Sequence, residues 1–255
     1  MDKTTGVGIL IGIGAIILAN AIEGGHFGAL FQLTAAIIVF GGTAGATIVS
    51  HRKEDLVLAV RLLVMSFKNQ EKISAKELSN EIMNCAKLAR AESPLTLETR
   101  IKSFKSSYMK TVFRYLIDGA DPTQLKEAFE KEQDLDYALK TGAAKVWADA
   151  GGYAPTIGIL GAVLGLIHVM SQLTDTSVLG KGIAVAFVAT IYGVGSANLI
   201  FLPIANKIKK QIQYEMNLKE MILEGALAIL KGQNPYLIQE KMNAYVKTGD
   251  EEFVS

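Results

Sequence analysis

Gly151–Thr174 (GGYAPTIGILGAVLGLIHVMSQLT) and Gly182–Asn206 (GIAVAFVATIYGVGSANLIFLPIAN) decide the class of this chain. Each is an apolar run free of Asp and Glu, and each exceeds the roughly 20 residues that cross about 30 Å of hydrocarbon as a helix. Each holds a proline, Pro155 or Pro203, and several glycines, and the second also holds Thr190. Ionisable groups inside membrane spans mark ion paths. Here the small and helix-bending residues of such a path are present while the titrating acid is missing. The pattern predicts a chain whose ion carrier comes from another polypeptide.

Two further uncharged runs, Thr4–Ile22 and Phe27–Ser50, have the length of membrane helices. A cleaved leader is the competing reading of the first. It lacks a basic stretch beyond Lys3 and a small-x-small cleavage site, and a second span follows at once. The expected fold class is therefore all-α: an integral membrane protein with four transmembrane helices and a helical cytoplasmic domain.

Orientation follows from Lys and Arg, which are retained on the cytoplasmic side near span ends. The connections Glu23–His26 and Asp175–Gly180 contain neither, whereas 51–150 holds 17 of the 26 basic residues and the segment after Asn206 holds 7. Lys3 lies beside the first span on that same side. Lys181, at the outer end of the fourth span, can snorkel to the interface. Both termini and the long loop are expected in the cytoplasm. The expected division is 1–50 for spans one and two, 51–147 for the cytoplasmic domain, 148–206 for spans three and four, and 207–255 for a C-terminal helix and tail.

The cytoplasmic segment has apolar residues at helical spacing, as in Leu56, Val60, Leu63, Val64 and Phe67, and in Leu78, Ile82, Cys85, Ala86 and Ala89. Breaks fall at Ser93-Pro94 and at Asp118-Gly-Ala-Asp-Pro122, each suiting a helix start. About four helices are expected before the third span. From Pro122 the pattern runs through Leu125, Phe129, Leu135, Leu139 and Trp147 into that span as one long helix. A helix over Leu218–Leu230 should end near Lys231-Gly232. A formal charge of +1 gives no basic surface for nucleic acid. The lone Cys85 reads as a small buried thiol.

On the third span Pro155, Gly158, Ala162 and Gly165 recur at offsets of three, four and three, so they share one helix face. On the fourth, Ala186, Thr190, Gly193 and Ala197 recur at offsets of four, three and four, with Asn198 beside them. Small residues at this spacing let membrane helices pack closely, and Gly161-x-x-x-Gly165 fits that reading. They can equally surround a partner helix and give its acid a route. Pro155 lacks a backbone donor and frees a carbonyl for such an acid. His26, His51 and His168 lie at span ends and read as solvated interfacial histidines. There is no metal-ligand spacing, no G-x-S-x-G, no Walker loop and no G-x-G-x-x-G, so the motifs indicate no enzyme, cofactor or metal.

The run Tyr153-Ala-Pro-Thr-Ile-Gly-Ile-Leu-Gly-Ala-Val-Leu-Gly-Leu-Ile167 resembles the third-span signature of the MotA/PomA subunits of the flagellar stator. Ala189-Thr-Ile-Tyr-Gly193 and Phe201-Leu-Pro-Ile-Ala-Asn-Lys207 are similar to that family's fourth span. Glu224-Gly-Ala-Leu-Ala-Ile-Leu-Lys-Gly-Gln-Asn-Pro235 is similar to the helix that follows. The resemblance covers nearly the whole chain. It implies an ion-driven torque unit in which several copies, five in the family, surround a dimer of a MotB-type single-span partner that supplies the membrane aspartate. Pro155, Gly158, Ala162, Thr190 and Pro203 would line the ion pathway and touch the partner helix. Arg90 and Glu98 match the family's rotor-facing charges, which act on the rotor protein FliG; Ala91 and Pro94 depart from the usual pattern there. Sodium-driven members tend to have threonine where this chain has Ala162, so the resemblance implies protons as the coupling ion rather than sodium. The nearest alternative is an ExbB/TolQ-like energiser of outer-membrane transport, which resembles the stator in its proton coupling but usually has three spans.

Overall fold

The computed structural model describes residues 3–25, 27–67, 73–171 and 176–254. Most of the described residues are helical, with no strand among them. The helices are α1 (Lys3–Ile22), α2 (Leu33–Ala36), α3 (Gly42–Ser50), α4 (Lys53–Phe67), α5 (Ala75–Ala91), α6 (Glu98–Ile101), α7 (Ser107–Ile117), α8 (Pro122–Met170), α9 (Thr176–Ser196), α10 (Leu202–Leu230) and α11 (Pro235–Val254). His26 and the end of the expected third span, 172–174, lie outside the described residues, as does the start of the connection at 175.

Among the described residues, three helical stretches are long and apolar enough to cross a membrane: Gly28–Ser50, Pro122–Met170 and Leu179–Leu230. Gly6–Ile22 is a shorter apolar helix. A π-helical turn, Ile37–Gly41, joins α2 to α3, and a second, Ala197–Phe201, joins α9 to α10.

The chain forms two compact units. The first takes residues 1–69 and 139–209, and the second takes 70–138 and 210–255, so α8 and α10 contribute to both. In the first unit Ala35 and Val39 bury against Val188 and Ala189 of α9. α4 belongs to this unit, although the sequence reading groups it with the cytoplasmic domain. Its Ala59 packs on Ala143 and Val146, and the Trp147 indole N–H donates to the Ala59 carbonyl at 3.1 Å.

Helix starts in the second unit follow local chemistry. Ser74 caps α5 by accepting from the Glu77 amide at 3.1 Å, and Ser106 caps α7 by accepting from the Met109 amide at 3.2 Å. Asp121 Oδ1 accepts from the amides of Thr123 and Gln124, with Pro122 at the first helical position of α8. The expected start at Ser93-Pro94 yields only a 3₁₀ turn, Pro94–Leu97, before the four-residue α6. α10 stops where Gly232 adopts φ +61°. The Gln233 amide then donates to the Ala228 carbonyl and the Gly232 amide to Ile229, the paired bonds of a Schellman motif.

The core of this unit is apolar and continuous, from Leu78, Ile82 and Cys85 through Met109, Phe113 and Leu116 to Met221, Leu227, Ile238 and Met242. Phe113 meets Phe104 edge-on with ring centroids 5.3 Å apart. Burial pushes the Cys85 thiol up to about 12, which keeps it protonated and unreactive. Lys219 ties α10 to α8 through Asp136, bonds Glu215 at 3.4 Å, and lies over the Tyr108 ring.

Candidate functional site

In the first unit, the glycines of α8 and α9 make a seam in which backbone meets backbone. A Cβ added at Gly158 would lie 2.9 Å from the Ala189 carbonyl oxygen and 3.2 Å from Gly193 Cα. One added at Gly193 would lie 2.5 Å from the Ala154 carbonyl oxygen. One added at Gly165 would lie 3.0 Å from both the Ala186 amide nitrogen and the Gly182 carbonyl oxygen. One added at Gly161 would meet side chains instead, 2.9 Å from Ala189 Cβ and 3.2 Å from Ile38 Cγ2. A Cβ has no room at Gly158, Gly165 or Gly193, and the two helices approach as small residues allow.

The structure therefore divides the stripe that sequence spacing groups together. Gly158 and Gly165 are buried in the seam, whereas Pro155 and Ala162 are half-buried one position further round α8. Thr190 is also half-buried, and its hydroxyl donates to the Ala186 carbonyl at 3.3 Å. Pro203 is exposed in the first turn of α10. Pro155 lies inside α8, so the Gly151 carbonyl one turn earlier is denied the N–H that would complete its helical bond. Pro155, Ala162 and Thr190 thus border a packed two-helix wall that carries no acid of its own.

Arg90 is exposed in the last turn of α5, and Glu98 is exposed in the first turn of α6. Both signs agree with the helix ends they occupy, and both side chains are free of the core.

Two features escape the sequence reading. Tyr192 of α9 donates its hydroxyl to the Leu30 carbonyl at 2.5 Å and accepts from the Gln32 amide at 3.3 Å, fixing the turn before α2. No periodicity marks such a bond. The second is a correction. His168 is exposed as expected, but His51 is not a solvated interfacial histidine: its side chain is 9% exposed, with Nε2 3.1 Å from Asp149 Oδ2. The residue lies at the right span end, but the fold supplies a carboxylate from α8 to cover it.

The MotA/TolQ/ExbB proton channel family model matches residues 100–221, and the motility protein A N-terminal model matches residues 6–92. Motility protein A of Bacillus subtilis is 32% identical over 98% of this chain and 93% of its own length. The chain belongs to the motility protein A family. Motility protein A of Helicobacter pylori is 30% identical over 98% of this chain and 97% of its own length. Among solved structures, the MotAB structure from C. jejuni matches with a TM-score of 0.90 at 26% identity, covering 96% of each chain. The flagellar MotAB stator complex from Bacillus subtilis matches with a TM-score of 0.87 at 31% identity, covering 95% of each. As a member of that family, the chain is a membrane-spanning all-α protein whose residues 100–221 match a proton-channel family model.

Proposed function

We propose that this chain is the multi-span subunit of a flagellar motor stator, and that it couples proton flow across the bacterial inner membrane to torque on the rotor. The observation that carries the reading is the end-to-end likeness to motility protein A chains and MotAB stators, together with a glycine-built wall of spans that contains no acid. In this reading the chain has four spans, with both termini and the long loop in the cytoplasm; the shorter apolar helix Gly6–Ile22 beside the three longer ones and the lopsided placement of Lys and Arg support it.

A MotB-type partner dimer, encircled by a ring of five copies of this chain, supplies the aspartate. Protonation neutralises that acid and loosens its hold on the surface around Pro155, Ala162 and Thr190, so the ring advances one subunit about the anchored axle. Gly158 holds the wall straight from behind, and Pro203 sets the cytoplasmic end of the fourth span. A charge crossing the membrane supplies about 2.3 kcal/mol per 100 mV, enough to bias a step between equivalent ring positions. Alanine at 162 offers no oxygen to sodium, which favours protons. Arg90 and Glu98 meet FliG through complementary charges.

A clean deletion tests the proposal. Cells should keep their filaments but not turn them, and the restored gene should return rotation. Normal swimming with loss of outer-membrane uptake would transfer the chain to the ExbB/TolQ-like role; the match of residues 6–92 to the motility N-terminal model favours the stator. On the rotor side, Arg90→Glu should cut swimming speed at least about twofold, because exposed charge pairs are individually weak, while leaving membrane levels unchanged. An unaltered speed would remove Arg90 from the rotor contact.

A further inference from the structure

We infer that His51 and Asp149 form the proton-release pair at the inner end of the membrane spans, passing protons from the ion path to the cytoplasm. The inference rests on the stator reading above.

His51 follows α3 directly, and Asp149 is the last carboxylate on α8 before its apolar stretch. The imidazole is nine-tenths buried. Its Nε2 is sealed from solvent and lies 3.1 Å from Asp149 Oδ2 without the alignment of a hydrogen bond, so among the described residues this buried nitrogen has no hydrogen-bond partner and Asp149 is the carboxylate in reach. Asp149 is 28% exposed and so opens to water. One turn along α8, the Tyr153 hydroxyl lies 2.8 Å from Ser50 Oγ. Pro155 is six residues from Asp149, about 9 Å along the helix.

The charged group nearest in sequence, Arg52, is turned to Asp55 at 3.1 Å. Among the described residues, the ionisable group recorded within 4 Å of the imidazole is Asp149. A buried imidazole and carboxylate add little net stability compared with apolar packing. At the mouth of a proton path they have a use, because imidazole accepts a proton on one nitrogen and releases one from the other.

The step balances within the pair and water. A hydronium arriving from the membrane side gives its proton to the imidazole, forming an N–H bond and leaving water. The Nε2–H bond then breaks as Oδ2 accepts the proton, and the Asp149 O–H releases it to cytoplasmic water. The imidazole returns neutral with its remaining proton on Nδ1, a ring flip restores the starting tautomer, and the carboxylate returns ionised.

The test uses the full chain with its MotB-type partner in cells lacking the native stator. Units on each motor are counted from torque steps, and speed is read at high and low load in H₂O and D₂O. Proton release limits only fast rotation. His51→Gln and Asp149→Asn should therefore join motors in normal numbers with high-load torque per unit within about twofold of wild type. Low-load speed should fall about tenfold, a modest share of what a positioned proton acceptor contributes, and should slow further in D₂O; Asp149→Glu should recover most of it.

Low-load speed within about twofold of wild type in both variants would overturn the inference, as would a loss that Asp149→Glu does not recover. If Asp149→Asn does not join motors, His51→Gln decides by the same readout. Failure of both to join would assign the pair to packing alone and overturn the inference. The wild-type control separates these results from the reading beneath: if the unmutated chain cannot turn filaments, it is the stator assignment that falls.

Discussion

Gly193→Leu should remove the folded chain from the membrane. Its Cβ would lie 2.5 Å from the Ala154 carbonyl oxygen and 3.0 Å from Gly158 Cα, and the opposing atoms are backbone that no rotamer change can move. Overpacking a well-packed interior costs about 1–3 kcal/mol, and more where the backbone must shift. Here α8 and α9 must part along the seam from Gly158 to Gly165. Lipid tails are as apolar as leucine, so no hydrophobic gain offsets the packing that is lost. We expect membrane-extracted protein to fall to roughly a tenth of wild type or less, since about 1.4 kcal/mol already shifts a folding equilibrium tenfold. Val194→Leu provides the control, because that neighbour points outward and is exposed. Extraction and size-exclusion profiles would decide. A Gly193→Leu chain with wild-type yield and melting temperature would refute the seam.

The seam also shows how far the sequence could be read. Apolar length exposed the membrane helices, and Asp121-Pro122 exposed the start of α8, because both signals are local. The offsets joining Pro155, Gly158, Ala162 and Gly165 were legible too, but spacing alone cannot say which edge of a broad stripe meets which neighbour. That depends on where α9 lies, and α9 takes Gly158 and Gly165 while leaving Pro155 and Ala162. His51 and Asp149 are 98 positions apart, so no window along the chain could pair them. The turns at Ile37–Gly41 and Ala197–Phe201 widen an otherwise regular helix without any residue that announces them. Likewise the 207–255 reading as a helix and tail becomes two helices, because Gly232 ends one and Asn234, accepting from the Tyr236 amide at 3.1 Å, starts the next.

Pro155→Leu should leave a chain that folds, reaches the membrane and joins motors but delivers less than about a tenth of wild-type torque. Folding survives because Pro155 is half-buried beside the seam rather than in it, and because leucine removes the cost of about 3 kcal/mol that proline carries in a helix interior. Function should not survive, for two reasons. The new N–H binds the Gly151 carbonyl, withdrawing the one backbone acceptor that the proline leaves free on this wall. The leucine side chain then fills the surface against which a partner acid would move. An added barrier of about 1.4 kcal/mol slows a step tenfold, and that is well within the 2.3 kcal/mol or so that 100 mV supplies per charge, so stepping would slow without stalling assembly. Pro155→Ala separates the two causes: it restores the N–H without the bulk, and should fall between wild type and leucine if both contribute. Bead-assay torque per unit, with units counted from torque steps, reads both variants. Wild-type torque from Pro155→Leu would show that the partner acid does not travel along this face, and would move the ion path to another side of α8.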